Sequence, residues 1–183
     1  MHLIIGLGNI GVKYHLTRHN VGFMVIDEMT KNLATSNINK SNFQSTLLKS
    51  AYNLFSKPTT YMNNSGEAVH AIMEYYKIPI EDIIVIHDDL DLPFGTVKYK
   101  LGGGHGGHNG LRSIDAHCGK EYIRVRIGIG KPLNKTDVAN YVLSNFSKEE
   151  LNKLQDIITH TIKAIEALKT EEIDQVKSKF TLK

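Results

Sequence analysis

The stretch IIVIHDDLDLPFG, Ile83 to Gly95, decides how the chain must be read. Four consecutive β-branched, wholly apolar residues suit a strand buried on both faces, which is the signature of a central strand covered by helices on either side. The run then breaks abruptly into HDDLD and a Pro-Phe-Gly turn. A chain that leaves a buried strand through three acids and a histidine places titratable groups at the mouth of the sheet.

Working outward, His2–Leu7 (HLIIGL), Val97–Leu101 and Tyr122–Ile129 (YIRVRIGI) read as further strands, and Phe43–Phe55 alternates loosely enough for a hairpin. Between them lie helical patterns. From Val21, apolar residues recur at Met24, Val25, Met29 and Leu33, with Asn20 placed as an N-cap. Ser36–Asn42 is a polar loop, and Lys57–Gly66 (KPTTYMNNSG) is a loop leading into the helix GEAVHAIMEYYKI, where Asn64 and Glu67 are spaced as a capping box. Ser147 and Glu150 repeat that spacing ahead of Leu151, Leu154, Ile158, Ile162, Ile165 and Leu168. Neither a repeat nor a linker divides the chain. The expectation is one α/β domain over residues 1–183, with a twisted, mostly parallel mixed sheet surrounded by α-helices.

The composition, 41% hydrophobic and 22% charged over 183 residues, is that of an ordinary globular chain. No apolar run approaches the roughly 20 residues of a membrane span. The start MHLIIGLGNIG lacks the basic region of a signal peptide. A lone cysteine, Cys118, fits a reducing compartment, so a cytoplasmic protein is expected. The net charge is +3, yet Lys98–Lys135 holds eight basic residues against two acidic ones. That block points to an anionic partner at one face.

Three familiar sites are considered and set aside. Gly6, Gly8 and Gly11 match a dinucleotide fingerprint, but no apolar stripe marks a helix at Val12–His19 and no acid ends a second strand at the right distance. His105, His108 and the acids Asp88, Asp89 and Asp91 offer metal-ligating groups, but glycines flank both histidines where a metal site needs a stiff frame. The glycine-rich LGGGHGGHNGL, Leu101–Leu111, lacks the lysine and hydroxyl that complete a phosphate loop. What remains is hydrolytic. His19 in TRHN and Asp88 can form a histidine base with its orienting carboxylate, and Asn9, Asn63 and Asn109 lie in loops beside glycine or methionine. No serine occupies a nucleophile elbow and nothing marks Cys118 as a nucleophile, so water would attack.

As a set, GLGNIG, TRHNVG, KPTTYMNNSG, HDDLDLPFG, KYKLGGGHGGHNGL and RVRIGIGKP resemble the bacterial peptidyl-tRNA hydrolases, in their order and over essentially the whole chain. The departures are Ile10, where the family usually has proline, and Asp89, often glutamate. The resemblance implies hydrolysis of the ester between a peptide and the 3′ end of tRNA. By motif, it implies His19 as catalytic base, Asp88 as its partner and Asn109 on the water, with Asn9 and Asn63 on the peptide or oxyanion. Tyr14, Tyr61, Met62 and His108 are expected to line the substrate site, and Lys98, Lys100 and Arg126 to hold tRNA phosphates. Like that family, the chain is expected to need no metal, and no cofactor or membrane partner is expected; with no long apolar interface helix in the sequence, a monomer is the default. The glycines would leave one rim of the cleft bare and free to move, with Asn109 delivered by that loop. The rivals are a non-hydrolytic RNA-binding protein on the same fold, which has no need of His19 with Asp88, and a general small-ester hydrolase, which has no need of the basic block.

Overall fold

Seven strands form a single sheet in the computed structural model, which describes residues 1–183. They are β1 (His2–Gly6), β2 (Ser36–Asn37), β3 (Ser45–Lys49), β4 (Asn53–Pro58), β5 (Ile83–Asp89), β6 (Val97–Leu101) and β7 (Ile123–Gly128), in the spatial order β2-β3-β4-β1-β5-β7-β6. The four central strands β4, β1, β5 and β7 are mutually parallel, and antiparallel pairings close both edges. Six α-helices flank the sheet: α1 (Val21–Thr30), α2 (Ser65–Tyr76), α3 (Asn109–Cys118), α4 (Val138–Val142), α5 (Lys148–Leu168) and α6 (Ile173–Phe180). No helix is long and apolar enough to cross a membrane.

The run Ile83–Ile86 does what its composition demands. Ile84 and Ile86 join Ile4, Val125 and Ile127 in a core with residues of α1, α5 and α6, while Ile83 and Val85 join Leu3 and Ile5 under α2 and α3. Each such side chain, fully buried, contributes about 1.5–3 kcal/mol relative to exposure. A strand anchored on both faces holds the residues at its end rigidly.

The apparent dinucleotide fingerprint is a packing device. A Cβ on Gly6 would overlap the Gly22 carbonyl, and one on Gly22 would meet the Ile86 carbonyl oxygen at 2.5 Å, so both glycines let α1 lie directly on the sheet. After Gly11 comes only a short 3-10 turn, Val12–Tyr14.

The capping expectations divide. Ser147 and Glu150 form the reciprocal capping box of α5. Asn20 and Asn64 precede their helices but make no side-chain cap, because 3-10 turns (Arg18–Asn20 and Met62–Asn64) feed both helices and satisfy the entering backbone. Sequence periodicity runs α1 on to Leu33, whereas the helix ends at Thr30 and Leu33 is exposed. Helix α3 is the largest element absent from the sequence reading. It has only Leu111 and Ile114 as buried large apolar residues and is capped by a histidine, so neither periodicity nor a customary cap announces it.

Candidate active site

Asp88 stands at the carboxyl end of β5, between β1 and β7, where open α/β sheets place their ligand crevices. It is only 2% exposed, and each of its oxygens takes one histidine. His19 Nδ1 lies 2.8 Å from Oδ2, and His108 Nε2 lies 2.8 Å from Oδ1. Burial alone would raise the Asp88 pKa, but the electrostatic pull of the two imidazoles and the hydrogen bonds from His19 and His108 outweigh it and hold the carboxyl well below the usual carboxylate range. Burial pulls His19 down, yet the Asp88 carboxylate and its hydrogen bond dominate, so the imidazole pKa is raised above 6.5.

The proton positions follow from the partners. His108 is the N-cap of α3, and its Nδ1 accepts the backbone N–H groups of Gly110 (3.1 Å) and Leu111 (3.3 Å). Its proton is therefore on Nε2, donated to Asp88. Both ring nitrogens are spent, and His108 cannot act as a base. His19 donates Nδ1–H to Asp88, which leaves the Nε2 lone pair available in the cleft. His87 sits behind them, its Nδ1–H donating to the Asp88 carbonyl at 2.8 Å. Burial and the neighbouring His108 bring its pKa down to about 4, so it is neutral.

His19, Asp88 and His108 also bring potential metal-ligating atoms within 4.8 Å of one another. The hydrogen bonds describe a different set. His108 Nε2 must carry a proton because Nδ1 is already an acceptor, and a protonated nitrogen has no lone pair for a cation.

Asn9 is held from three sides. Its N–H donates to Asn20 Oδ1 and its carbonyl accepts from Asn20 Nδ2, both at 2.9 Å. Its own Oδ1 accepts the Met62 N–H at 2.8 Å, which fixes the amide so that the NH₂ is left to donate elsewhere. Tyr61, immediately before Met62, has φ 61 and ψ 160, a conformation that L side chains rarely adopt. Tyr61 and Asn63 are exposed on this turn, and Met62 is buried. Tyr14 is half-buried in the 3-10 turn after Gly11, with the Lys13 ammonium 4.9 Å above its ring.

The cleft at Asp88, the principal cleft for the chemistry though not the larger cavity, has about 560 Å³ and brings together His19, Asp88, His108, Asn109, Lys100, Arg124 and Arg126. Asn9 borders a separate groove of about 720 Å³ with Ile10–Val12, Leu16 and Phe23. Tyr14, Tyr61, Met62, Asn63 and Lys98 do not line the principal cleft. Asn109 is exposed and is the first residue of α3, so a helix terminus presents it rather than the mobile loop expected from the glycines. Lys98 and Lys100 project from β6 opposite Arg126 and Arg124 of β7. Arg126 Nε donates to Asp89 Oδ2 at 2.8 Å, so Asp89, one of the two departures from the family pattern, steadies a basic residue.

Sequence reasoning missed the bracing contacts of three side chains, Asn20, Arg18 and Arg124. The Arg18 guanidinium donates to the Asn145 carbonyl (2.9 Å) and to Glu150 (3.0 Å), while Thr17 pairs with Asn145. These bonds tie the turn carrying His19 to the start of α5. No signal short of the TRHN motif itself could have found the Arg18 bonds, because their partners are more than 120 residues away. Cys118 is part-buried, its thiol pushed up to about 12 by burial and then by the charges of Glu74 and Asp115, which makes it a poor nucleophile.

A peptidyl-tRNA hydrolase family profile matches residues 3–183. The chain belongs to the peptidyl-tRNA hydrolase family. The peptidyl-tRNA hydrolase of Aliarcobacter butzleri is 81% identical over the full length of both chains. That of Campylobacter lari is 49% identical, over 100% of this chain and 99% of the relative. The crystal structure of a variant peptidyl-tRNA hydrolase from Acinetobacter baumannii superposes with a TM-score of 0.93 at 34% identity, covering 98% of this chain and 94% of that one.

Proposed function

We propose that this member of the peptidyl-tRNA hydrolase family cleaves the ester joining a peptide, or an N-blocked aminoacyl group, to the 3′ end of tRNA, with His19 as general base. The observation that carries the residue assignment is the shared carboxylate. Asp88 accepts from two histidines, and the pattern of donors leaves the His19 Nε2 lone pair in the cleft, while the other free imidazole nitrogen, His87 Nε2, is buried and its pKa is brought down to about 4.

In this reading His19 Nε2 takes a proton as water attacks the ester carbonyl, and Asp88 stabilises the imidazolium that forms. Asn109 orients the water. The Asn9 amide, its carbonyl engaged by Met62, presents N–H donors to the peptide or to the developing oxyanion, and Asn63 adds a second amide from the turn that carries Met62. One well-placed donor of this kind supplies about 3 kcal/mol. Collapse of the tetrahedral intermediate breaks the bond to the ribose oxygen, which recovers the proton from His19. Tyr14, Tyr61, Met62 and His108 shape the surroundings of the peptidyl group.

Lys98, Lys100 and Arg126 contact tRNA phosphates, a mode that supplies affinity without sequence information, as an enzyme serving many tRNAs requires. The mechanism calls on no metal and no cofactor, and the protein acts as a monomer in the cytoplasm. A purely RNA-binding role would leave the paired protonation states of His19 and His108 without a use. The test is release of the acyl group from an N-blocked aminoacyl-tRNA, with His19→Ala as control. Undiminished turnover in that variant refutes the assignment.

A further inference from the structure

Arg124 is among the largest side chains that are fully buried, 2% exposed on a strand whose neighbouring arginine reaches the cleft. Its terminal nitrogens donate to the Gly103 carbonyl (2.8 Å), the Gly104 carbonyl (3.0 Å) and Asp115 Oδ1 (3.2 Å). The same Asp115 oxygen accepts the Tyr122 hydroxyl at 2.6 Å, and the Tyr122 ring lies 4.5 Å beneath the guanidinium. One side chain thus joins β7, the glycine-rich segment and α3.

The arrangement is poorly optimised as an ion pair. Arg124 Nε and Asp115 Oδ2 are buried with no partner. Buried pairs are commonly no more stabilising than apolar residues of similar volume, and one with two unsatisfied atoms is a weak source of stability. What it does provide is position. Gly103 and Gly104 have no side chains to anchor them, and they lead directly to His108 and Asn109. Asp115 lies on the helix that those two residues begin.

We infer that Arg124, paired with Asp115, is a positioning residue for the hydrolytic site: it fixes the glycine-rich wall by its carbonyls and the start of α3 by Asp115, so that His108 meets Asp88 and Asn109 faces the cleft. The inference rests on the proposed hydrolytic reading. Arg124 borders the cleft, yet it is only 2% exposed and its terminal nitrogens are engaged on the Gly103 and Gly104 carbonyls and Asp115, so its loss should act on kcat rather than on tRNA affinity.

The experiment replaces the pair by apolar residues, Arg124→Met with Asp115→Leu, and compares it with Arg124→Lys and Arg124→Ala. Each is assayed on N-acetyl-aminoacyl-tRNA and on an N-acetyl-aminoacyl-adenosine ester. The expected result is an unchanged or raised melting temperature for the double variant, with kcat falling roughly ten- to hundredfold on both substrates and KM nearly held, as for a misplaced reacting group. Arg124→Ala should regain part of its kcat on addition of free guanidinium. Wild-type kcat in the folded double variant, or in Arg124→Lys, overturns the inference, as does a loss confined to KM for the tRNA substrate. Should the double variant not fold, guanidinium rescue of Arg124→Ala decides, and no rescue counts against the inference. His19→Ala run in parallel keeps the two claims apart: its full activity would sink the proposed reaction, whatever Arg124 does.

Discussion

The two segments that flank His19 and Asp88 are built on opposite principles. One wall, from Leu7 to Asn20, brings His19 to the cleft, borders the neighbouring groove with most of its other residues, and is fixed by polar side chains closing on backbone. Asn20 brackets Asn9 with two hydrogen bonds, Asn9 holds Met62, and Arg18 ties the His19 turn to the start of α5. The other, from Gly102 to Gly107, has almost no side chains, and four of its glycines adopt positive φ. It is held mainly from behind, by Arg124. The lesson is a division of labour: side chains aim the chemistry from one side, and bare backbone gives a bulky substrate room on the other.

The sharpest way to break this contrast is at the base. His19→Ala should lower kcat on the order of 10²–10⁴-fold, read from single-turnover release of N-acetyl-aminoacyl-tRNA. Its pH dependence follows from the environment. The base works only when neutral, so kcat should rise with pH through a midpoint above 6.5, because Asp88 raises the His19 pKa. Asp88→Asn should shift that midpoint downward as well as reduce kcat; an unmoved midpoint would mean that another group governs the limb. Stability runs the other way. The raised His19 pKa gives a contribution that is complete below 6.5 and is lost as pH rises through the folded value, so protonation of His19 stabilises least where the enzyme works best.

The next effect tests the side-chain wall away from the base. Asn20→Ala leaves a buried N–H and carbonyl of Asn9 unsatisfied, a cost of about 1–3 kcal/mol for each such group, and should lower both the melting temperature and kcat. Equal kcat in a folded Asn20→Ala protein would show that Asn9 needs no bracket. A smaller effect is expected at the basic edge: Lys100→Ala should raise KM for full tRNA substrates and barely change a minimal peptidyl-nucleoside ester. Equal losses on both would remove Lys100 from tRNA recognition. The smallest belongs to the bare wall. A Cβ at Gly104 meets nothing within 4 Å, and its φ is not positive, so Gly104→Ala should change stability by no more than about 0.5 kcal/mol. A large loss of kcat there would mean that substrate packs against that backbone more tightly than the open wall suggests.

The legible parts of this molecule are those whose reasons are local. Ile83–Ile86 could only be a central strand, and Ser147 with Glu150 could announce α5, because periodicity and capping act within a few residues. His19 and Asp88 were recognisable through short motifs, and the structure places their side chains 2.8 Å apart. Illegible were the features whose partners arrive from elsewhere in the chain. Asn20 looks like a helix cap and is instead a bracket for a residue 11 positions earlier. Arg124 looks like one more member of a basic block, yet its charge is spent on carbonyls and Asp115. His108 looks like a metal ligand and, by resemblance, like a residue lining the substrate site. It proves to be a helix cap on one ring nitrogen and a donor to Asp88 on the other. Asn109, read as cargo of a permissive loop, opens a helix because α3 leaves too few apolar residues to betray itself.

The way α2 meets α3 settles what can move. Gly66 donates its N–H to Ser113 Oγ at 2.9 Å, and any Cβ there would overlap the Ser113 carbonyl. Two helices in backbone contact share one rigid frame. Asn63 lies just ahead of the first helix and Asn109 opens the second, so the two amides are spaced as by a caliper set at Gly66. Arg124 ties the glycine segment to the same pair of helices through Asp115, so the bare wall is registered against that gauge.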